Sequence, residues 1–267
     1  MAFLRDITLG QYLATNSPVH RLDPRTKFLS VFLLMLAVLV SHEFLFYAVL
    51  SGFLAAVILL ARLPTRLVLR NFRPFFWLIL LTVCLHIFFT RTGPVLFSLG
   101  VVQVTSEGVI KGAFFSCRLL ILIVTATLLT LTTSPMELVD GIERLLKPLQ
   151  RIRVPAHELA MMTSIALRFI PTLIEEAERL RKAQLARGAS FSGGPLKRIK
   201  NLLPLVVPLF VSAFHRADEL AVAMESRCYQ GGEGRTSFKE LKLHKPDLFS
   251  LGIVFLLLVT GVVWRTG

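Results

Sequence analysis

The sequence predicts an all-α polytopic membrane protein with a long amphipathic helical region near its C-terminal end. Three observations carry that prediction. The 267 residues are 54% hydrophobic with a mean hydropathy of +0.66, against roughly 45–50% apolar in a soluble globular domain. Long apolar runs alternate with short polar turns. The net charge of +13 falls largely between those runs, as in a membrane chain whose inner loops are basic. Nucleic-acid binding is the rival reading of the charge, but no basic run is interleaved with aromatics and no zinc spacing occurs. Cys84, Cys117 and Cys228 are too few and too scattered for a disulfide framework or a metal cluster. No cleavable signal pattern precedes the first apolar run, which is read as a retained span.

In chain order, Asn16-Ser17-Pro18 is a turn, and Asp23 before Pro24 is a helix N-cap with proline at the first position. Phe28 to Val40 is apolar, about 20 Å of helix against a hydrocarbon core of roughly 30 Å. The turn Pro24–Lys27 and Ser41 extend it, with Lys27 snorkelling. Ser41-His42-Glu43 turns the chain into a second span, Phe44 to Ala61. Arg62, Arg66, Arg70 and Arg73 follow without an acid, which marks a cytoplasmic loop and suits a short interfacial helix. Phe75 to Thr90 is the third span. Val95–Leu99 and Val101–Thr105 around Gly100 read as a small hairpin. Gly112 to Thr133 is the fourth span. It contains Arg118, either a functional intramembrane charge or a snorkelling one, the second being favoured by its closeness to the outer end. His86 reads as a packed, hydrogen-bonded histidine.

Ser134-Pro135-Met136-Glu137 is a capping box. It opens residues 134–246, which hold 18 Lys+Arg and 12 Asp+Glu. Three amphipathic helices are expected there: 135–147, ended by Pro148; 155–187, with Pro171 inside; and 195–228, with Pro204 and Pro208 inside. Interior prolines kink helices. Leu248 to Trp264 is the fifth span. The chain thus divides into a membrane region (1–133) with four spans, a coupling-helix region (134–246) and a C-terminal span (247–267). The basic loops put the N-terminus and residues 134–246 in the cytoplasm, and His42-Glu43, residues 91–111 and the C-terminus outside.

The chemistry of an enzyme is missing from the sequence. There is no phosphate-binding loop, so the chain is not expected to hydrolyse ATP. His157-Glu158 lacks the second histidine of a metalloprotease helix. The spans as drawn hold no carboxylate, which disfavours an ion-coupled carrier. What stands out is an echo at an offset of 40. Ala177, Leu180, Ala183 and Arg187 recur as Ala217, Leu220, Ala223 and Arg227. Ala186-Arg187-Gly188 and Ser226-Arg227-Cys228 each set an arginine between small residues at a helix end. Each arginine either complements its helix dipole or serves as a key that enters a partner.

These features resemble the transmembrane T component of energy-coupling factor importers (the EcfT/CbiQ type). The resemblance rests on four stretches in order: His20 to Lys27, Ser134 to Ile142, Leu167-Arg168-Phe169-Ile170-Pro171-Thr172-Leu173, and Ala183 to Gly188. It covers most of the chain. It implies two coupling helices whose Ala-Arg-Gly-like ends dock into two ATPase subunits, with Ser226-Arg227-Cys228 departing from the pattern by lacking the glycine. It implies a further partner, a small substrate-binding membrane subunit, and uptake of a vitamin or metal ion through a bacterial cell membrane. No cofactor, metal or catalytic residue is expected on this chain; ATP would be used by the partners. The apolar helix faces around Met161, Met162, Phe169, Leu209 and Phe214 are the candidate contact with the substrate-binding subunit, core packing being the other reading. A self-sufficient permease remains the rival function, with Thr82, His86, Thr125 and Thr127 as its thin set of polar residues. A membrane-embedded enzyme is disfavoured.

Overall fold

The computed structural model describes residues 12–13, 15–90, 92–99, 102–152, 155–189, 194–231 and 243–266. The elements follow the chain as α1 (Pro24–Val40), α2 (Phe44–Leu60), α3 (Thr65–Arg70), α4 (Phe76–Phe89), β1 (Val95–Leu99), β2 (Val102–Thr105), α5 (Ser106–Thr132), α6 (Pro135–Leu146), α7 (Ala156–Ala186), α8 (Pro195–Glu225) and α9 (Lys245–Thr266). Short 3-10 turns at Arg73–Phe75 and Lys147–Ile152 lead into α4 and out of α6. Among the described residues the fold is all-α apart from one antiparallel hairpin, in which Leu99 pairs with Val102 and the register shifts between Val95 and Phe97.

The described residues form two compact units, residues 12–141 with 243–266, and residues 142–231. In the first, α1 packs along α9 and α5, and α4 lies along α5. Its core is built from Leu34, Val38, Phe46, Tyr47, Leu50, Ile121, Leu131 and Val254. Among the described residues, Thr65–Phe89, Ser106–Thr132 and Lys245–Trp264 are long and apolar enough to cross a membrane, and Phe44–Leu60 is apolar but shorter. α5 and α9 begin before the apolar runs expected as spans, so Glu107 and Asp247 sit in their first turns.

Small residues allow α4 and α5 to touch. Gly108 and Gly112 lie four apart on one helix face, and a β-carbon at 108 would stand 2.8 Å from the carbonyl oxygen of His86. Such small-residue faces are a common way for apolar helices to pack. His86 itself donates from Nδ1 to the Thr82 carbonyl at 2.8 Å and stacks on Phe115, the packed histidine that its surroundings in sequence suggest.

Side chains close several of the helix ends of this unit. Asp23 accepts from the Arg25 amide and so caps α1. Ser134 and Glu137 exchange the two bonds of the capping box at 3.4 and 3.3 Å. α2 ends on Arg62 in the left-handed region (φ 52°). Lys27 is buried, and its ammonium donates to the carbonyls of His20 and Thr132 at 2.9 and 3.0 Å. Asp247, also buried, accepts from the amides of Asp23 and His244, both at 2.8 Å, which ties the start of α9 to the start of α1. Lys27 is therefore anchored inside the protein, not stretched toward the interface as expected from its position.

Arg118 corrects the sequence reading in the same way. It does not snorkel. Its guanidinium donates to the carbonyls of Val38, Leu39 and Ser41, the last turn of α1 and the residue after it. Those carbonyls have no partner within their own helix, and a cation is well placed at a helix C-terminus. Tyr47 Oη donates to Val38 and Ser41 as well.

Candidate docking ends

The second unit is organised by α7 and α8, each 31 residues long. α7 continues through Pro171, and α8 through Pro204 and Pro208. All three prolines precede the segments that carry the repeated sequence. From Glu176 onward in α7, and from Arg216 onward in α8, neither helix contains a proline.

The helices meet where the repeat begins. Arg216 Nη2 lies 3.5 Å from Glu176 Oε2, so two positions related by the offset of 40 contact each other. Leu180 shares an open cleft there with Val207, Pro208 and Val211. The two helices run antiparallel: Tyr229, just beyond α8, reaches His157 in the first turn of α7 (Oη to Nε2, 3.4 Å). His157 Nδ1 in turn lies 2.7 Å from Glu143 Oε1 on α6. Eleven residues separate Glu176 from Arg187, and eleven separate Arg216 from Arg227. At about 1.5 Å per residue, about 16 Å of helix carries each arginine away from the contact, in opposite directions.

Both ends terminate alike. At the first, the Ala189 amide donates to the Gln184 carbonyl (3.0 Å) and Gly188 to Leu185 (3.0 Å). At the second, Tyr229 donates to Met224 (3.1 Å) and Cys228 to Glu225 (2.9 Å). These two bonds, six-to-one and five-to-two, define a Schellman motif. The motif requires a left-handed residue just past the helix. Gly188 supplies it at φ 85°, and Cys228 at φ 56°. The departure of Cys228 from glycine thus leaves the backbone of the second end unchanged. Ala186, Arg187 and Gly188 are exposed, and so are Ser226, Arg227 and Cys228.

The other candidate residues divide. Met162 and Phe214 are exposed, while Met161, Phe169 and Leu209 are half-buried. Phe210, missed in the sequence, is exposed beside Phe214, with ring centroids 6.1 Å apart. It lies four residues before Phe214 on the same helix face. Of the polar set that would serve a permease, Thr82 and Thr125 each donate to a carbonyl one turn back in their own helix. Glu176 and Arg216 stand one position before the 40-residue echo and are unlike residues, so the echo does not mark their contact.

Comparison with known proteins agrees with this architecture. The CbiQ family, described as cobalt transport protein, matches residues 15–238. The energy-coupling factor transporter transmembrane protein EcfT of Acidaminococcus fermentans is 53% identical over 256 residues, covering 96% of this chain and 95% of that protein. EcfT of Thermosediminibacter oceani is 49% identical over 263 residues (98% and 99%), and EcfT of Bacillus subtilis 50% identical over 234 residues (87% and 88%). Matches of this identity and span leave one assignment: the chain belongs to the EcfT/CbiQ family, the transmembrane components of energy-coupling factor transporters.

Proposed function

We propose that this chain is the non-catalytic coupling subunit of an energy-coupling factor importer. Two ATP-binding subunits dock on it, one at Ala186-Arg187-Gly188 and the other at Ser226-Arg227-Cys228. ATP is bound and hydrolysed by those partners. Their motion passes through α7 and α8 to a small membrane subunit that holds the substrate, a vitamin or a metal ion. The exposed apolar side chains Met162, Phe210 and Phe214 form the contact with that subunit, and Met161, Phe169 and Leu209 back it. The chain crosses the bilayer five times, with α1, α2, α4, α5 and α9. α6, α7 and α8 are cytoplasmic coupling helices, and the C-terminus is outside.

The observation that carries the reading is the matched pair of exposed arginine ends, alike in sequence, hydrogen bonding and distance from the Glu176–Arg216 contact. A single basic residue near a helix end is adequately explained by the dipole. Two equivalent ends, each held open by a small residue on either side, fit two equivalent sockets. A docked arginine donates charge-assisted bonds to carboxylates or helix-end carbonyls. Truncating one partner of such a buried contact costs on the order of 2–5 kcal/mol.

The test is assembly and uptake after Arg187→Ala, Arg227→Ala and both together. Each single change is expected to weaken co-purification of the ATPases or ATP-driven uptake. The double change is expected to abolish nearly all uptake while the chain still binds the substrate-binding subunit. A double variant that retains both ATPases and wild-type uptake rules the docking assignment out.

A further inference from the structure

A cavity of about 320 Å³ lies among the membrane helices, and the coupling role proposed above makes no use of it. Four helices line it, each with one end. The contributions are Lys27 to Leu34 from the start of α1, Phe53 to Leu60 from the end of α2, Thr125 to Thr132 from the end of α5, and Pro246 to Val254 from the start of α9. Each of these stretches spans about 10–12 Å of helix. On the five-span arrangement all four ends are cytoplasmic, so the cavity lies in the inner leaflet, whose hydrocarbon is about 15 Å deep. We infer that the cavity holds one acyl chain of an anionic phospholipid of the inner leaflet, with the lipid phosphate on the cations around the opening. The inference uses the span arrangement and not the docking ends.

The opening is a wedge between α2 and α9. At their outer ends these helices touch: the Phe46 ring comes within 3.0 Å of where a β-carbon on Gly261 would stand, and it meets Trp264 edge-on with centroids 6.4 Å apart. At their inner ends both line the cavity, and there Leu60 and Phe249 are 57% and 72% exposed. The walls behind them are apolar, with Leu34, Leu54, Leu128 and Val254 buried. Apolar cavities stay dry, and an empty one leaves its lining without dispersion partners. At hydrocarbon depth the filler at hand is an acyl chain.

The shallow end of the cavity is polar in the way a phospholipid requires. The Lys27 ammonium carries three N–H groups, and two of them serve the His20 and Thr132 carbonyls. Ser30, one turn deeper on α1, has a buried Oγ without a hydrogen-bond partner. Both residues line the cavity. The ester carbonyl that joins an acyl chain to its head group is an acceptor at this depth. Arg21, Arg62 and Lys245 stand within two residues of the lining residues Leu22, Leu60 and Pro246, and all three are exposed. The nearby carboxylates, Asp23 and Asp247, are buried and accept from backbone amides. The rim is therefore cationic, and basic pockets between spans on the cytoplasmic side suit anionic head groups.

The experiment uses the assembled complex in phosphatidylcholine nanodiscs that contain a minor fraction of phosphatidylglycerol with a diazirine on its acyl chain. Photolysis is expected to label Phe53–Leu60 and Phe249–Val254 on the order of five-fold above the exposed face of α4 at Trp77 and Leu81. Unlabelled phosphatidylglycerol is expected to compete, and added phosphatidylcholine is not. Val57→Phe with Ile253→Phe fills the groove and is expected to abolish the excess labelling. Arg21→Gln with Lys245→Gln changes only exposed residues and is expected to weaken the preference for phosphatidylglycerol on the order of five-fold per cation. This rim variant keeps the groove intact, so it decides the matter even if the filled variant does not assemble. Groove labelling no higher than that of α4 overturns the inference. Equal competition by the two lipids overturns it too. So does a photo-reactive residue at Phe249 that captures residues 1–11 or another subunit instead of lipid, because the groove then has a protein occupant. No residue of α7 or α8 takes part, so loss of the docking reading leaves the inference standing. Thiol labelling from outside at His42 and Thr92 reads the span arrangement separately.

Discussion

Arg118 stands in an apolar helix, yet its charge is used at the end of another helix. Its partners, Val38, Leu39 and Ser41, lie 77–80 residues upstream, too far for any sequence pattern to connect them. That distance is why the sequence suggests snorkelling and the structure shows a cap. Replacing Arg118 by leucine leaves the Leu39 carbonyl without this donor, while Tyr47 still serves Val38 and Ser41. A loss of about 1–3 kcal/mol is expected, read as a lower thermal unfolding temperature of the purified complex. Lysine at 118 is expected to recover only part, since an ammonium cannot fork between carbonyls as a guanidinium does.

His20, in the segment before α1, gives a pH dependence. Burial holds its pKa below the usual 6.5, and the neighbouring charge of Lys27 adds to the effect. Its Nδ1 lies 2.7 Å from Ser17 Oγ. A histidine with a lowered folded-state pKa favours the fold in its neutral form. That contribution is fully present above the ordinary value and is lost as pH falls through the lowered one. The complex should thus lose thermal stability below about pH 6.5. His20→Gln should flatten that part of the profile; an unchanged profile in the variant assigns the acid sensitivity to other groups.

At the scale of elements, helix boundaries were the most legible feature, because caps and prolines announce them locally. Asp23-Pro24 and the Ser134–Glu137 box stand where the sequence put them, and the hairpin at Val95 and the short helix at Thr65 were readable from turn residues and arginine spacing. The ending of α8 was not readable. Cysteine is a poor predictor of a left-handed residue, since its β-carbon makes that conformation cost roughly 1–2 kcal/mol. Cys228 adopts it nonetheless, at φ 56°. Cys228→Gly should therefore strengthen the second cap by about 1 kcal/mol, seen as slower amide exchange at Cys228 and Tyr229 with docking intact. The reverse experiment is harsher. Gly188 has open space around it, so the barrier to a side chain there is backbone conformation alone. Valine, whose branched β-carbon tolerates positive φ badly, should open the first cap and speed exchange at Gly188 and Ala189. Equal exchange in Gly188→Val and wild type would show that the motif does not depend on that residue.

For the whole molecule, the question is which side of the membrane each loop occupies. Length alone assigns three spans. α1 and α2 have 17 residues each, about 25 Å of helix against a core of roughly 30 Å. A mismatch of this size is accommodated by local thinning or by flanking residues at modest cost. Both helices also share a buried core with α5 and α9, which supports the proposal that they cross with them. The five crossings proposed above would put Arg62–Arg73 and α6 to α8 on one side, and His42 and Thr92 on the other. On that proposal the basic loops make the first side cytoplasmic. Ser41 would be a poor reporter because it is fully buried, whereas His42, Thr92, Arg66 and Lys182 are exposed. Single cysteines introduced at His42 or Thr92, in a background without accessible native thiols, should react with a membrane-impermeant maleimide added to intact cells. Cysteines at Arg66 or Lys182 should react only after the membrane is opened. Labelling of Lys182 from outside would invert the chain and remove the proposed docking ends from any reach of ATP-binding subunits in the cytoplasm. Protection of His42 together with labelling of Thr92 would instead take the α1–α2 pair out of the membrane and reduce the crossings to three.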